Sequence, residues 1–260
     1  MHPILIEIGG LTIYTYGFFA ALGLLTAIWT TSRLARRSGI ASEHIMNICF
    51  YGVLAGLAGA RLLYVVINPA EFLARPLEIF KVWNGGLVFF GAFFGALAVV
   101  LVYARAHDLA LGKIFDLAAL FAPLAHAIGR LGCFSAGCCY GEICTRPWAV
   151  TFTDPHTLAR PMGVPLHPTQ LYSSFTNFII FGVLLALFLK GRFSGRLFLV
   201  YLVVYGLTRS GIESFRGDPR GTVLSGALST SQAIGLSAAL IAAVILVILL
   251  LRDKNKKSRK

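Results

Sequence analysis

The sequence predicts an all-α integral membrane protein of about seven transmembrane helices, and three observations carry that prediction. Of the 260 residues, 57% are hydrophobic and only 13% charged, about half the charged share of a soluble domain. Mean hydropathy is +0.77. Seven apolar runs are long enough to cross about 30 Å of hydrocarbon as helices, over residues 15–33, 46–67, 87–104, 114–133, 171–189, 196–213 and 230–251. The alternating pattern of a β-barrel strand is missing. The chain reads as one polytopic domain, 1–260, with a larger outer loop at 134–170 and a basic tail at 252–260.

The N-terminal MHPILIEIGG has neither the basic start nor the small-residue cleavage site of a signal peptide, so the first span is read as retained. Tyr14 and Tyr16 open it. The second span holds Cys49 and, in its outer part, Arg61. Gly85-Gly86 end the next loop and lead into the third span, which Phe89 and Phe90 open. Gly91 and Gly95 follow, at the spacing that lets membrane helices approach closely. The fourth span carries Arg130 among Gly129, Gly132, Gly137 and Gly141. The stretch GRLGCFSAGCCYG predicts a broken or re-entrant segment, which lipid tolerates only where protein or water satisfies the backbone. The loop at 134–170 contains Trp148, Phe152 and several prolines, and its length suits a lid or binding surface. His167, Gln170 and Tyr172 open the fifth span, Tyr205, Arg209 and Glu213 lie in the sixth, and Gln232 opens the seventh.

Charge sets the orientation. The net charge is +12. Fourteen Lys and Arg fall on one side of the predicted spans: Arg33, Arg36, Arg37, Arg105, Lys113, Lys190, Arg192, Arg196, Arg252, Lys254, Lys256, Lys257, Arg259 and Lys260. Six fall on the other: Arg75, Lys81, Arg146, Arg160, Arg216 and Arg220. The positive-inside rule puts the fourteen in the cytoplasm, with the N-terminus outside. Nucleic-acid binding would need a basic folded domain, and the sequence offers none.

Arg61, Arg130 and Arg209 are left inside spans, each in the outer part of its helix. An ionisable residue in a span is costly and suggests function; snorkelling to the interface is the bland alternative. Three arginines at matched depth, with only Glu213 close by, call for an anionic ligand. The planar fork of Arg suits a phosphate, and in an outer leaflet the abundant phosphate-bearing molecule is a phospholipid.

Cys133, Cys138, Cys139 and Cys144 cluster as C-x4-CC-x4-C, which fits neither a CxxC redox motif nor the common zinc spacings. A disulfide from Cys138 or Cys139 to Cys144 and plain apolar packing both remain open. A membrane thiol oxidoreductase built on this cluster is a third functional reading, behind a lipid-modifying enzyme and a phospholipid-binding or transport protein without chemistry.

Five blocks carry a family resemblance along essentially the whole chain. They are Tyr16-Gly17; Gly85-Gly86-Leu87-Val88-Phe89 after Trp83; Gly129-Arg130-Leu131-Gly132 with Phe134, Gly137 and Gly141; His167-Pro168-Thr169-Gln170-Leu171-Tyr172; and Tyr205-Gly206 with Arg209, Glu213 and Arg216. In this order they resemble the prolipoprotein diacylglyceryl transferases. The resemblance implies transfer of sn-1,2-diacylglyceryl from phosphatidylglycerol to the lipobox cysteine of prolipoproteins in the bacterial inner membrane. The products are a thioether and glycerol-1-phosphate, and no metal or cofactor is needed. The family usually has His where Phe90 stands, Asn where Cys133 stands and Glu where Cys138 stands. Phe90 cannot take a proton, so a mechanism based on that His does not carry over.

On this reading Arg130 and Arg209 hold the phosphate as catalytic residues, and His167 is the remaining candidate base, unless it only holds the loop backbone. Tyr16, Arg61, Gly86, Gly132, Gly141, Gln170, Tyr205, Glu213 and Arg216 form the headgroup site and its shell. The enzyme's own cysteines need not react, since the substrate supplies the thiol. A monomer is expected. A cytoplasm-specific reporter fused after Lys260 should be active; activity of a periplasm-specific reporter there would overturn the orientation.

Overall fold

The structure, a computed structural model, describes residues 2–218, 221–223 and 228–258. Arg220, Arg259 and Lys260 lie outside the described residues. In chain order, β1 (Ile4–Ile8) and β2 (Leu11–Tyr14) precede α1 (Thr15–Ala35), α2 (Ser42–Ile67), the short α3 (Pro69–Ala74), α4 (Phe89–Ala106) and α5 (Leu111–Ala136). Then come β3 (Val150–Thr151), β4 (Pro165–Leu166), α6 (Thr169–Leu189), α7 (Leu197–Glu213), β5 (Thr222–Val223), β6 (Leu228–Ser229) and α8 (Thr230–Ser258).

Each predicted apolar run is a helix. α1, α2, α4, α5, α6 and α8 are long and apolar enough to cross a membrane. α7 has 17 residues, about 25 Å at 1.5 Å per residue. The strands are short antiparallel pairs in the connections. β1 and β2 turn through Gly9 and Gly10, both at positive φ, the backbone a tight two-residue hairpin turn needs.

The expected break falls inside the stretch GRLGCFSAGCCYG, but not at Arg130 itself. α5 runs unbroken from Leu111 to Ala136, and the chain turns only at Gly137, where φ is +76°. Gly132 serves a different purpose. A Cβ there would lie 3.0 Å from Phe19 Cβ and 3.1 Å from the Tyr16 main chain, so its bare backbone lets α1 seat against α5.

The chain forms two compact units, one of Met1–Trp29 with Phe115–Lys260 and one of Thr30–Ile114. In the first, Ala27, Leu124 and Ile128 bury one another, with Phe19, Phe121 and Phe181 against them. Ser174 on α6 donates to the Ala127 carbonyl on α5 at 2.8 Å. α7 packs on α8 where a Cβ on Gly206 would sit 2.5 Å from the Gly235 carbonyl oxygen. The start of α7 has no cap from its own N-cap residue, Arg196. Asp116 on α5 supplies it: the carboxylate accepts the Gly195 N–H at 2.5 Å and the Leu197 N–H at 2.8 Å. The long loop has its own small core of Phe152, Ala159 and Leu166.

In the second unit α2 packs on α4, and Gly59 and Gly91 meet backbone to backbone. The expected close approach at Gly91 and Gly95 is therefore made, against Gly59 and Ala55.

Burial is arranged for lipid. Leu25, Val66 and Phe175 are 63%, 71% and 68% exposed, whereas Thr31, Arg61, Asp116, Gln170, Ser173, Ser174 and Asn177 are buried. Apolar faces of this extent would aggregate in water; hydrocarbon accepts them without cost.

Asp116→Ala should lower stability in detergent by about 1–3 kcal/mol, the cost of leaving buried donors unpaired. Asp116→Asn, which keeps one acceptor, should recover part of it. Thermal unfolding followed by helicity would check this, and an unchanged midpoint for the Ala variant would show the cap to be dispensable.

Candidate functional site

The first unit gathers most of the predicted site residues. Arg130 projects from α5, and its Nε donates to Nε2 of His126 at 2.9 Å. An accepting ring nitrogen carries no proton, so this bond fixes both the imidazole and the guanidinium plane. Among the described residues the two terminal nitrogens of Arg130 make no hydrogen bond, and no carboxylate lies within ion-pair distance of it. The bidentate fork is therefore open. His126 stands in the fields of both Arg130 and Arg209. Its ring centroid is 5.8 Å from that of Tyr205, which stacks on Tyr201 at 5.4 Å.

Arg209 is held differently. One turn on, Glu213 accepts from its Nη1, the geometry that the i,i+4 spacing provides. The other oxygen of Glu213 accepts the Ser229 hydroxyl at 2.9 Å. Arg216 makes a bidentate pair with Asp218, Nε and Nη2 each donating at 2.8 Å, and lies 3.9 Å from Glu213. The pairing of Glu213 with Arg209 is the one expected from the spacing; the pairing of Asp218 with Arg216 was not foreseen.

Three strand-like segments fix the outer rim. Gly141 donates its N–H to the His167 carbonyl at 2.9 Å, and Glu142 donates to the Phe215 carbonyl at 3.0 Å. A Cβ on Gly141 would lie 2.5 Å from both His167 Cβ and the Phe215 oxygen. Only glycine lets these chains close up. The same segment lines a recess of about 480 Å³ with Glu142, Arg160, Arg216 and Asp218 on its wall.

His167 is engaged from several sides. Trp148 Nε1 donates to the Tyr172 hydroxyl at 2.8 Å, and that hydroxyl lies 3.0 Å from His167 Nδ1. Indole only donates, so the Tyr172 hydroxyl accepts from Trp148 and its own proton stays available. Phe215 lies 5.3 Å from the His167 ring and 6.1 Å from that of Tyr172, so the three rings cluster. Gln170 is fully buried; its Nε2 donates to the Cys138 carbonyl at 2.8 Å while its Oε1 has no partner.

Tyr16, at the start of α1, lies in the same electrostatic neighbourhood as Arg130, Cys133, Cys138 and Cys139. All five cysteines are free thiols, so neither Cys138 nor Cys139 is bridged to Cys144. Hydrogen bonds from Cys133 and Cys138, and then from Arg216, hold the Cys139 thiol well below its ordinary value. Cys138 is pushed up by its hydrogen bonds with Cys133 and Cys139.

Two predicted residues belong to the second unit. Arg61 is buried, and its guanidinium donates to the carbonyls of Ile79 at 2.9 Å, Gly85 at 2.8 Å, Gly86 at 3.2 Å and Glu78 at 2.5 Å. It also stacks over Tyr64 and Phe72. A Cβ on Gly86 would collide with Arg61 Nη1 at 2.6 Å. Here an intramembrane Arg is neutralised by backbone dipoles and clamps the loop. Phe90, in the same unit, packs edge-to-face on Phe89.

Comparison with known proteins accounts for this constellation. The family model of prolipoprotein diacylglyceryl transferase matches residues 3–248. A phosphatidylglycerol–prolipoprotein diacylglyceryl transferase of Clostridium tetani is 39% identical over 91% of this chain and 93% of its own length. One of Rhodospirillum rubrum is 34% identical over 97% of this chain and 93% of its own. One of Clostridioides difficile is 30% identical over the full length of both. On the family model and these relatives, the chain belongs to the prolipoprotein diacylglyceryl transferase family.

Proposed function

We propose that this chain transfers the sn-1,2-diacylglyceryl group of phosphatidylglycerol to the lipobox cysteine of prolipoproteins, as a multi-pass enzyme of a bacterial inner membrane. Seven spans, an outer N-terminus and a monomeric state belong to this reading. The observation that carries it is Arg130: a guanidinium on an apolar helix, fixed at Nε by His126, with its terminal nitrogens open. A half-buried open fork of this kind binds a phosphate bidentately.

The acceptor thiolate attacks the glycerol carbon that bears the phosphate ester. The carbon–sulfur bond forms as the carbon–oxygen bond breaks, and the electron pair leaves with the oxygen of glycerol-1-phosphate. Charge grows on that phosphate in the transition state, where Arg130 stabilises it. Arg209 adds a second positive charge, oriented by Glu213. Gln170 belongs to the shell of the site and holds the Cys138 carbonyl behind it. Tyr16 and Tyr205 wall the site, and Gly132 and Gly141 let its walls close. His126 acts as a positioning residue for Arg130. Arg61 and Gly86 act through the loop that they clamp, and Arg216 through the rim.

Incubation with phosphatidylglycerol and a lipobox peptide should yield a diacylglyceryl adduct by mass spectrometry. Binding of the lipid without an adduct would replace this reading with a lipid-binding protein. Arg130→Lys keeps the charge but loses the fork, and should lower turnover by about a hundredfold or more, as removal of one transition-state donor does elsewhere. Near-normal turnover in the folded variant would show that charge alone suffices.

With Phe90 unable to act as base, deprotonation falls on the acceptor thiol itself, whose ordinary pKa is about 8.5. Transfer should therefore rise towards alkaline pH, both in the wild type and in His167→Ala. Loss in His167→Ala that is rescued by raising the pH would make His167 the base instead.

A further inference from the structure

Three of the four cysteines clustered in sequence also meet in space. Cys133 lies in the last turn of α5. Gly137 at φ +76° ends the helix, and Cys139 at φ +62° turns the chain back. A left-handed conformation costs a residue with a side chain about 1–2 kcal/mol, and the surroundings hold it there. Thr169 Oγ1 donates to the Cys139 carbonyl at 2.7 Å, and Gln170 Nε2 donates to the Cys138 carbonyl at 2.8 Å. The start of α6 thus pins both residues over the end of α5. Cys138 Sγ points at the Cys133 carbonyl, 3.8 Å away. The sulfur atoms of Cys133, Cys138 and Cys139 all lie within 4.8 Å of one another.

The geometry points to a site for one thiophilic divalent cation, of which zinc is the type, held by Cys133, Cys138 and Cys139. Tetrahedral zinc with bonds of about 2.3 Å needs sulfurs about 3.8 Å apart, which a small inward rotation of the side chains supplies. Three thiolates around a divalent ion leave one net negative charge. The positive charges of Arg216 and Arg130 both act on Cys139, and positive charges of this kind favour a thiolate site. Sulfur ligands favour zinc over magnesium or calcium, which take oxygen. Three protein ligands leave the fourth position to water or another thiolate. All three cysteines are partly exposed, whereas Cys144 is buried and lies outside the cluster. On binding, each thiol that becomes a thiolate releases its proton to solvent, and no redox step is involved.

The test uses metal alone, without lipid or peptide, so it is independent of the transfer reaction. The purified, reduced, full-length chain in detergent is titrated with Co²⁺. One equivalent should produce sulfur-to-cobalt charge-transfer absorption, and Zn²⁺ should abolish it. Bound Zn²⁺ should slow alkylation of Cys133, Cys138 and Cys139, mapped by mass spectrometry, and leave Cys49 unchanged. Cys139→Ser should weaken Co²⁺ binding at least tenfold, whereas Cys144→Ser should not. Absence of charge-transfer absorption at stoichiometric metal would overturn the proposal. So would protection of other cysteines, or a disulfide within the trio that survives reduction. The alkylation map uses the wild-type chain, so the answer does not depend on whether a variant folds.

Discussion

Hydrocarbon offers no hydrogen bonds, and that constraint organises the molecule. A polar group placed among the spanning helices must find its partner in the protein. Asp116 finds two backbone donors at the start of α7. Arg61 finds four carbonyls. Ser174 reaches from α6 to the main chain of α5, and Arg209 has Glu213. Against this background the incomplete groups stand out. Among the described buried side chains, Ser32, Gln170 and Asn177 each leave an oxygen unpartnered, and Arg130 leaves its terminal nitrogens open. Gln170 and Arg130 both belong to the unit that holds the histidine block and the Arg209–Glu213 pair.

The same residue type takes opposite roles under the same constraint. Arg61 and Arg130 both sit in the C-terminal part of an apolar helix, both near glycine. The loop before α4 turns its carbonyls onto Arg61, and the charge is neutralised structurally. Around Arg130 the nearby polar partner is His126, which accepts one donor and leaves the remainder. An arginine clamped by backbone confers rigidity. One with an open fork retains binding energy for a ligand, and in a low-dielectric setting that energy is large.

Much of this was legible in the residues. The hydropathy pattern located every long helix, because burial in lipid demands uninterrupted apolar length. The i,i+4 spacing of Arg209 and Glu213 anticipated their ion pair, because a helix fixes which side chains share a face. The blocks around Arg130 and His167 pointed to the family. Less was legible where neighbours come from different elements. His126 lies four residues before Arg130, and the spacing alone does not say which of several polar neighbours turns towards the guanidinium. The glycines around Arg130 suggested a broken helix. The break comes seven residues later, because Gly132 is needed for the approach of α1 and not for a turn.

The sequence by itself determined the solvent this protein folds in, the helices that cross it and the chemistry of the residues that face it, because composition and periodicity act locally along the chain. Only the tertiary structure decided which arginine is neutralised and which stays open, and that Cys133, Cys138 and Cys139 share one point in space. Their spacing matches no metal motif. Their convergence depends on where α6 begins relative to the end of α5, and on a left-handed residue at 139. Contacts of that kind are set by packing between elements, which no local pattern encodes.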